Sequence, residues 1–365
     1  MKVIISGGGT GGHIFPAIAI ANALRVIDKN VKILFVGAEG RMEMEKVPAA
    51  GYKIEGLWIS GLQRRLTIDN LSFPFKVISS LMKSKKIIRS FKPDVAVGTG
   101  GYASGPLLRV ASGMKIPALI QEQNSFPGIT NKLLGGRVNR ICVAYEGMEK
   151  YFPKEKIIIT GNPVRQDILS LEGKREEALE FFKVNPKRKV LLVIGGSLGA
   201  RTINESIAGC LNLLGQNNIH VIWQTGKSYI DKAEDALIPS DTDGWLGPFI
   251  TRMDLAYACA DIVVSRAGAI SLSELAIVKK PCILVPSPNV AEDHQTKNAM
   301  ALVKHDASIL VKDSEAREKL GAEIISLMND VQKQNKLSEN ISKLAFPNSA
   351  EVIAKEVVKL AQSRS

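Results

Sequence analysis

Five glycines within seven positions connect the first predicted strand to the first predicted helix. Residues 6–13 read Ser-Gly-Gly-Gly-Thr-Gly-Gly-His, between the apolar run at 3–5 and a helical pattern at 14–26. A strand, a loop with almost no side chains and a helix are typical of α/β folds, and the unpaired N–H groups at the start of the helix can bind phosphate. His13 would place an imidazole beside that position.

The same loop is compatible with other functions. Gly7, Gly9 and Gly12 match the G-x-G-x-x-G pattern of dinucleotide-binding folds, and Glu39 follows the next apolar run, where an acid that binds ribose would lie. The loop could also be a tight turn without a ligand. These residues alone therefore leave open an NAD-dependent oxidoreductase and a non-catalytic protein that binds a nucleotide sugar or RNA.

Short β-branched runs alternate with amphipathic stretches along the chain, which predicts parallel sheets with helices on both faces. A strand at 190–194 followed by the glycine loop 195–200 repeats the opening design and indicates two α/β domains. Pro163 interrupts the alternation and predicts a linker at 161–165. Strands are expected at 2–5, 31–36, 53–57, 95–97, 118–120, 140–143, 157–160, 190–194, 219–223, 262–264, 282–285 and 308–311, and later helices at 172–183, 315–329 and 350–361.

The charge is unevenly distributed. The formal net charge is +12, all of it within residues 1–164, whereas residues 165–365 are neutral. A basic half indicates a polyanionic partner for that half only, either nucleic acid or an acidic membrane. No apolar run approaches the length that spans a bilayer. The four cysteines are far apart in sequence, which favours a reducing cytoplasm and predicts no metal site.

Much of this positive charge lies in residues 64–92, which contain eight basic residues and one acid. Apolar residues recur there at helical spacing, which predicts a helix lying on an anionic membrane. The alternative is a helix that packs its apolar side into the core. The expected membrane contacts are Phe75, Ile78, Leu81, Lys76, Lys83, Lys85 and Lys86.

Three further stretches have the composition of ligand-binding loops. The glycine-rich loop 98–106 should meet the first loop at the carboxyl edge of the sheet. Ser271 and Glu274 follow a predicted strand and have the spacing of a capping box, which is compatible with Glu274 as an acceptor for two ribose hydroxyls. The polar connection 286–298 resembles a ligand loop, whereas His220 and His305 are interpreted as structural.

Seven motifs, in order along nearly the whole chain, resemble those of the MurG family, which belongs to glycosyltransferase family 28. They are Gly-Gly-Thr-Gly-Gly-His at 8–13, Gly-Gly-Tyr-x-Ser-Gly-Pro at 100–106, Glu-Gln-Asn at 122–124, Gly-Asn-Pro-Val-Arg at 161–165, Gly-Gly-Ser-x-Gly-Ala at 195–200, Ser-Arg-Ala-Gly-Ala at 265–269 and Asp-His-Gln-x-x-Asn-Ala at 293–299.

The resemblance implies a GT-B fold, in which two Rossmann-like domains face each other across a cleft. The N-terminal domain, 1–163, would bind the acceptor and the membrane, and the C-terminal helix at 346–365 would pack back on it. Residues 164–345 would form the donor domain. The implied activity is inverting transfer of GlcNAc from UDP-GlcNAc to the MurNAc 4-hydroxyl of lipid I, an undecaprenyl-linked acceptor. The alternative is another GT-B transferase or a UDP-GlcNAc epimerase.

By the same resemblance, Ser197 contacts phosphate, the Ile250 backbone meets uracil, Glu274 binds the ribose diol, and Gln295 with His294 binds the sugar. The full donor set would be Thr10, Gly11, Gly12, Asn124, Arg165, Ser197, Ile250, Ala269, Ile270, Ser271, Glu274, His294 and Gln295. The acceptor pyrophosphate would contact Gly9, Gly100, Gly101, Tyr102 and Ser104.

His13 is the expected base. Family members often carry His before Glu-Gln-Asn, but this chain has Gln121, which cannot titrate. The expected location is the cytoplasmic face of the inner membrane, as a peripheral protein. We expect no cofactor, metal or nucleic-acid partner.

Overall fold

A computed structural model describes residues 1–61, 72–196, 198–290 and 293–363. The chain forms two compact units, Met1–Val164 together with Asn348–Ser365, and Arg165–Pro347. It therefore passes from the first unit to the second between Val164 and Arg165 and returns at Asn348. These positions differ by one and two residues from the boundaries expected from the sequence.

The first unit contains a sheet of parallel strands in the order β3-β2-β1-β4-β5-β6-β7, counted over the described residues. In β1, Val3 and Ile5 pack into one apolar core, and Ile4 packs into the core on the other face. Burial on both faces accounts for the continuous apolar run at 3–5. The strands are β1 Lys2–Gly7, β2 Lys32–Ala38, β3 Lys53–Leu57, β4 Val95–Gly100, β5 Ala118–Glu122, β6 Arg140–Val143 and β7 Ile157–Ile159.

Helices cover both faces of this sheet. The core on the Val3 side includes residues of α1 and of the C-terminal helix α14, among them Ile20, Val357 and Leu360. The core on the Ile4 side is closed by α3, α4 and α5. The helices of this unit are α1 Gly11–Ile27, α2 Glu43–Ala49, α3 Phe73–Phe91, α4 Ser104–Gly113, α5 Ile129–Gly135 and α14 Ser349–Gln362.

The second unit also has a parallel sheet, in the order β10-β9-β8-β11-β12-β13. The strands are β8 Lys189–Ile194, β9 Ile219–Gln224, β10 Gly244–Gly247, β11 Ile262–Ser265, β12 Cys282–Leu284 and β13 Ile309–Leu310. The helices are α6 Arg175–Phe181, α7 Arg201–Gln216, α8 Ile230–Leu237, α9 Met253–Cys259, α10 Ala269–Val278, α11 His294–Val303, α12 Ala316–Asn329 and α13 Val331–Ser342. The prediction of an α/β fold with two parallel sheets flanked by helices is confirmed.

One local prediction was wrong, and one strand and one helix were not predicted. β4 continues through Gly98–Gly100, which the sequence assigned to a loop, because Gly98 pairs in register with Ser6 of β1 and Ile120 of β5. β10 was missed because its four residues begin and end with glycine. α13 was missed because only Leu337 and Ile341 of its residues are buried, too few to give a clear helical pattern.

Candidate active site

His13 lies in the first turn of α1, beside the end of β4. Its Nδ1 is 3.0 Å from the Gly8 carbonyl oxygen and 3.4 Å from the Thr10 hydroxyl. A carbonyl oxygen can only accept, so the shorter contact requires the proton on Nδ1 and leaves the neutral imidazole with a lone pair on Nε2. The Thr99 hydroxyl donates to the His13 carbonyl at 2.8 Å, which fixes the backbone of this turn.

The two glycine loops of the first unit pack against each other. The Gly8 N–H donates to the Gly100 carbonyl at 3.3 Å. Gly101 has a φ of +89°, and a Cβ there would lie 2.3 Å from the Gly8 carbonyl oxygen. A Cβ at Gly100 would lie 2.8 Å from the His13 ring. Glycine is therefore required at 100 and 101 by close approach to Gly8 and His13.

The other residues expected to hold the acceptor pyrophosphate have different environments. Tyr102 is half exposed, and its ring lies next to Gly9. Ser104 is buried and donates its hydroxyl to the Gly101 carbonyl at 3.0 Å. The Gly9 N–H, which the sequence interpretation offered to phosphate, donates to Glu43 Oε2 at 2.9 Å.

The segment 121–124 forms a buried polar network at the end of β5. Gln121 donates to the Asn162 side chain at 2.9 Å, and Gln123 donates to the Thr99 carbonyl at 2.7 Å. The Glu122 carboxylate accepts from the backbone N–H and the side-chain amide of Asn124, at 3.0 and 3.2 Å. These bonds orient Asn124 and tie this segment to the second glycine loop. Gln121 is completely buried by the same network.

The remaining first-unit residues of the expected donor set surround the start of α1. Thr10 is the residue before the helix, with extended backbone, and its carbonyl accepts from the N–H groups of His13 and Ile14. Gly11 and Gly12 are the first two residues of the helix. Gly12 is exposed and Gly11 is half-buried. Their N–H groups belong to the turn whose donors have no partner within the helix.

In the second unit, as in the first, a glycine loop packs closely against the end of a neighbouring strand. Gly199 has a φ of +79°, and a Cβ there would lie 2.2 Å from the Thr225 carbonyl oxygen at the end of β9. Asn204 of α7 donates to the same carbonyl at 2.7 Å and accepts from the Trp223 indole at 2.9 Å. The sequence interpretation included neither Asn204 nor Trp223. Ser197, expected to contact phosphate, lies outside the described residues.

Glu274 lies in a charged and buried network of the second unit. Its Oε2 accepts from the Tyr257 hydroxyl at 3.1 Å, and its Oε1 is 3.4 Å from Arg165 Nε. Burial raises the pKa of Glu274, while the Arg165 charge and the Tyr257 hydrogen bond act in the opposite direction. Burial also raises the pKa of Tyr257 well above its ordinary value, with the charge of Glu274 adding to the effect.

The capping-box interpretation of Ser271 and Glu274 is wrong. α10 begins at Ala269 after Gly268, so Ser271 is its third residue and Glu274 its sixth. A capping box needs the Ser at the N-cap and the Glu in the first turn. Glu274 instead points into the network with Tyr257 and Arg165. Ala269 is buried, while Ile270 and Ser271 are half-buried at the N-terminus of this helix.

The expected sugar-binding residues begin α11. His294 is its first residue, and Gln295 Oε1 accepts from the Ser287 N–H at 2.9 Å. This bond connects the helix to the start of the 286–298 connection. Ile250 lies three residues after the end of β10 and is buried. Gln295 lies on α11, Glu274 on α10 and Ile250 in the segment after β10, and each of these elements follows a strand of one parallel sheet.

α3 presents an apolar stripe to solvent. Phe75, Ile78 and Met82 are 69%, 56% and 69% exposed, whereas Ser80, Ser84, Ile87 and Ile88 form the buried face. Leu81 lies between the two faces and is half-buried. These exposures argue against the alternative in which the stripe packs into the core.

Basic residues flank this stripe. Lys85 and Lys86 are exposed, Lys83 pairs with Glu39 at 2.9 Å, and Lys76 lies over the half-exposed Trp58 ring at 5.7 Å. Arg64 and Arg65, also part of the basic segment, lie outside the described residues. Within the described ranges, none of the helices is long and apolar enough to cross a membrane.

The candidate metal ligands and the histidines outside the glycine loops have separate environments. Over the part of the chain that the structure describes, no three His, Cys, Asp or Glu side chains are grouped as metal ligands. His220, interpreted as structural, is buried in β9, and neither ring nitrogen has a hydrogen-bond partner among the residues that the structure describes. Burial lowers its pKa to about 4. His305 is exposed beyond the end of α11.

The sequence interpretation missed two buried residues beside the expected site residues. Tyr257 belongs to α9 and looked like an ordinary core position, and Glu43 lies in the first turn of α2 with one other acidic residue, Glu45. Neither has a local sequence signal, because their partners are 17 and 34 residues away in the chain.

Comparisons with known proteins agree with these observations. The profile of the glycosyltransferase family 28 N-terminal domain matches residues 3–143, and that of the C-terminal domain matches residues 190–356. A UDP-N-acetylglucosamine–N-acetylmuramyl-(pentapeptide) pyrophosphoryl-undecaprenol N-acetylglucosamine transferase from Flavobacterium psychrophilum is 56% identical, over 100% of this chain and 98% of the relative.

Solved structures show the same architecture. The crystal structure of Acinetobacter baumannii MurG has a TM-score of 0.79 and 26% identity, with 98% of this chain and 99% of that chain covered. A UDP-GlcNAc 2-epimerase from Neisseria meningitidis, bound to UDP-GlcNAc, has a TM-score of 0.66 at 16% identity, with 98% and 100% covered. The likeness to the epimerase shows a shared fold only.

The identity to the transferase from Flavobacterium psychrophilum extends over the whole chain, and both domain profiles match in order. These findings replace the interpretations as an NAD-dependent oxidoreductase or a non-catalytic binding protein. The Glu39 carboxylate, which the oxidoreductase interpretation assigned to ribose, is paired with Lys83. The chain belongs to glycosyltransferase family 28, and within it to the MurG family.

Proposed function

We propose that this protein transfers GlcNAc from UDP-GlcNAc to the 4-hydroxyl of MurNAc in lipid I, with inversion at the anomeric carbon, and so forms lipid II. The observation that carries the proposal is the 56% identity, over the whole chain, to a relative whose name states a transfer of N-acetylglucosamine to N-acetylmuramyl-(pentapeptide) pyrophosphoryl-undecaprenol.

The second unit supplies the donor site in this proposal. The Glu274 carboxylate accepts hydrogen bonds from the ribose hydroxyls, and Arg165 and Tyr257 hold it in position. Ala269, Ile270 and Ser271 bring the N-terminus of α10 to the diphosphate, where the helix dipole and N–H groups stabilise negative charge. Ser197 adds a phosphate contact. Gln295, with His294, binds the sugar hydroxyls, and the Ile250 backbone meets uracil.

The first unit supplies the base and the acceptor site. His13 Nε2 accepts the proton of the MurNAc 4-hydroxyl while that oxygen bonds to the anomeric carbon and the bond from this carbon to the UDP oxygen breaks. The charge that develops on UDP is stabilised by N–H groups at helix N-termini. In the same proposal Thr10, Gly11, Gly12 and Asn124 also contact the donor, and Tyr102, Ser104 and the loops at Gly9, Gly100 and Gly101 receive the acceptor diphosphate.

The exposed stripe of α3 is the proposed membrane contact. The acceptor is linked to a lipid, and the stripe formed by Phe75, Ile78 and Met82 is exposed beside Lys85 and Lys86. Apolar side chains that enter the headgroup region, together with lysines near anionic lipids, would hold the protein on the inner membrane from its cytoplasmic side. Each lysine near the surface contributes about 1 kcal/mol, and salt screens this contribution.

Transfer of radiolabelled GlcNAc to a short-chain lipid I analogue tests the activity. We expect a labelled lipid product only when both substrates are present, and a β linkage in that product. A parallel reaction without the lipid analogue tests the epimerase alternative. Conversion of UDP-GlcNAc to its 2-epimer in that reaction, with no transfer when the analogue is added, would overturn the proposed function.

A further inference from the structure

Glu43 and His13 contact opposite ends of the same peptide group. The N–H of Gly9 donates to Glu43 Oε2 at 2.9 Å, and the carbonyl of Gly8 is 3.0 Å from His13 Nδ1. The Gly8 carbonyl and the Gly9 N–H belong to one planar amide, whose resonance couples its two ends. A continuous hydrogen-bonded chain therefore runs from the carboxylate through the amide to the imidazole.

Glu43 is fixed in this position. Its side chain is completely buried, and its other oxygen accepts from the Ala38 N–H at 3.0 Å. Both oxygens thus accept from N–H groups, as an ionised carboxylate does. A Cβ at Gly8 would lie 2.1 Å from Oε1, so a side chain there would displace the carboxylate.

This arrangement has an electrostatic consequence. A negative charge at the N–H end polarises the amide and makes the Gly8 carbonyl oxygen a stronger acceptor, because hydrogen bonds in a chain strengthen one another. A stronger acceptor favours the proton on Nδ1 and stabilises the imidazolium. Carboxylates that bond directly to a catalytic histidine have the same two effects.

We propose that Glu43 is a positioning residue for His13, acting through the Gly8–Gly9 peptide to hold the imidazole in the tautomer with its lone pair on Nε2. This inference rests on the proposed role of His13 as the base. It also explains why the Gly9 N–H faces a carboxylate in a loop whose sequence suggests phosphate binding. The diphosphate then has to contact other groups of this loop.

Other ionisable groups lie on the neighbouring elements. Tyr102 approaches Gly9 from the loop between β4 and α4, and the ion pair of Glu39 with Lys83 lies beyond the end of β2. Glu45 lies in the same turn of α2 as Glu43, but its side chain is 77% exposed and pairs with Lys46. Glu45→Gln is therefore a matched control that removes one negative charge from the same helical turn.

The first test compares Glu43→Gln with Glu45→Gln over a range of pH. We expect Glu43→Gln to lower kcat roughly tenfold, less than loss of a carboxylate bonded directly to a catalytic histidine, because the peptide group transmits only part of the effect of the charge. The KM for UDP-GlcNAc should change little. Loss of the carboxylate destabilises the imidazolium, so the acid limb of the kcat/KM profile should move to lower pH. Glu45→Gln should leave kcat and the acid limb of the kcat/KM profile unchanged.

The second test is measured on the wild-type protein with 15N-labelled histidine and backbone, so its result does not depend on the folding of Glu43→Gln. The chain has four histidines, and loss of one signal in His13→Ala assigns His13. The neutral His13 ring should carry its proton on Nδ1. The Gly9 amide signal should shift as His13 titrates, and the Ala38 amide signal should shift less. A neutral ring protonated on Nε2 would overturn the inference.

The outcomes separate this inference from the proposed function. If His13→Ala is inactive while Glu43→Gln keeps the wild-type kcat and acid limb, the role of Glu43 is wrong and the role of His13 stands. If His13→Ala keeps near-normal turnover, the proposed base itself is wrong.

Discussion

The Tyr257 hydroxyl donates to Glu274 Oε2 at 3.1 Å, and both side chains are buried in the second unit. Arg165 approaches the other carboxylate oxygen, with its Nε 3.4 Å from Oε1. The carboxylate is thus held from two sides. A group oriented in this way can discriminate ligands by their hydroxyls, because a ligand that lacks them leaves buried polar atoms unpaired.

Removal of the Tyr257 hydroxyl tests its hydrogen bond to Glu274. Tyr257→Phe should raise the KM for UDP-GlcNAc about tenfold, since a hydrogen bond to a charged group contributes about 1.5–3 kcal/mol and the ring still fills its site. The KM for lipid I and kcat should change little, and discrimination against a 2′-deoxyribose donor should weaken. Tyr229→Phe, in the same unit, is the control. An unchanged donor KM in steady-state assays would contradict the role of Tyr257.

The buried carboxylate also predicts a pH dependence. Burial raises the pKa of Glu274, so it takes up a proton at a higher pH than an ordinary glutamate does. A protonated Glu274 is a poorer acceptor for ribose hydroxyls, so the Kd for UDP-GlcNAc should rise as pH falls through that raised pKa. In Glu274→Gln, calorimetry should show a weaker affinity that no longer varies over this range. The same pH dependence in the variant would assign the effect to another group.

Removal of the imidazole tests the base. His13→Ala should lower kcat by roughly 10²–10⁴, the range for loss of a general base. UDP binding should be nearly unchanged, because the contacts that we propose for uracil, for the ribose diol and for the donor diphosphate lie in the second unit. Turnover and the Kd for UDP are measured on one preparation. A variant that loses UDP affinity but keeps its turnover number would be evidence against this assignment.

The exposed stripe of α3 predicts binding to anionic vesicles. Phe75→Ser with Ile78→Ser should reduce co-sedimentation with such vesicles, and higher salt should weaken binding of the wild type. Circular dichroism should show an intact fold, since both side chains are exposed. Val26→Ser is a matched control, because Val26 is 83% exposed on α1 of the same unit. Binding that is insensitive to salt, lipid charge and both substitutions would refute a membrane role.

His220 predicts a loss of stability in acid. Its folded pKa of about 4 is below its ordinary value of 6.5, because burial disfavours the charged ring. Its contribution is therefore fully present above pH 6.5 and is lost as the pH falls towards 4, by up to about 3 kcal/mol. The free energy of unfolding, measured in urea, should fall less between pH 7 and pH 4.5 in His220→Leu than in the wild type.

His305→Leu is the control for that measurement, because His305 is exposed. It should retain the pH dependence of the wild type. If the free energy of unfolding falls equally between pH 7 and pH 4.5 in both variants, His220 does not cause the acid sensitivity.

The sequence by itself determined most of the architecture. The apolar runs of β1 and β8 and the glycines after them are local patterns, and a run of residues buried on both faces followed by a glycine loop has few alternatives to a parallel sheet. The seven motifs, from 8–13 to 293–299, were together enough to indicate the family, because many short matches in a fixed order rarely coincide.

Only the tertiary structure decided how the side chains act. Ser271 and Glu274 have the spacing of a capping box, but the start of α10 at Ala269 turns Glu274 towards Tyr257. Glu43 reaches the Gly8–Gly9 peptide because the ends of β1 and β2 are neighbours in the sheet. Hydrogen bonds between residues distant in sequence depend on strand order and helix start, and neither is encoded within the few residues that a motif covers.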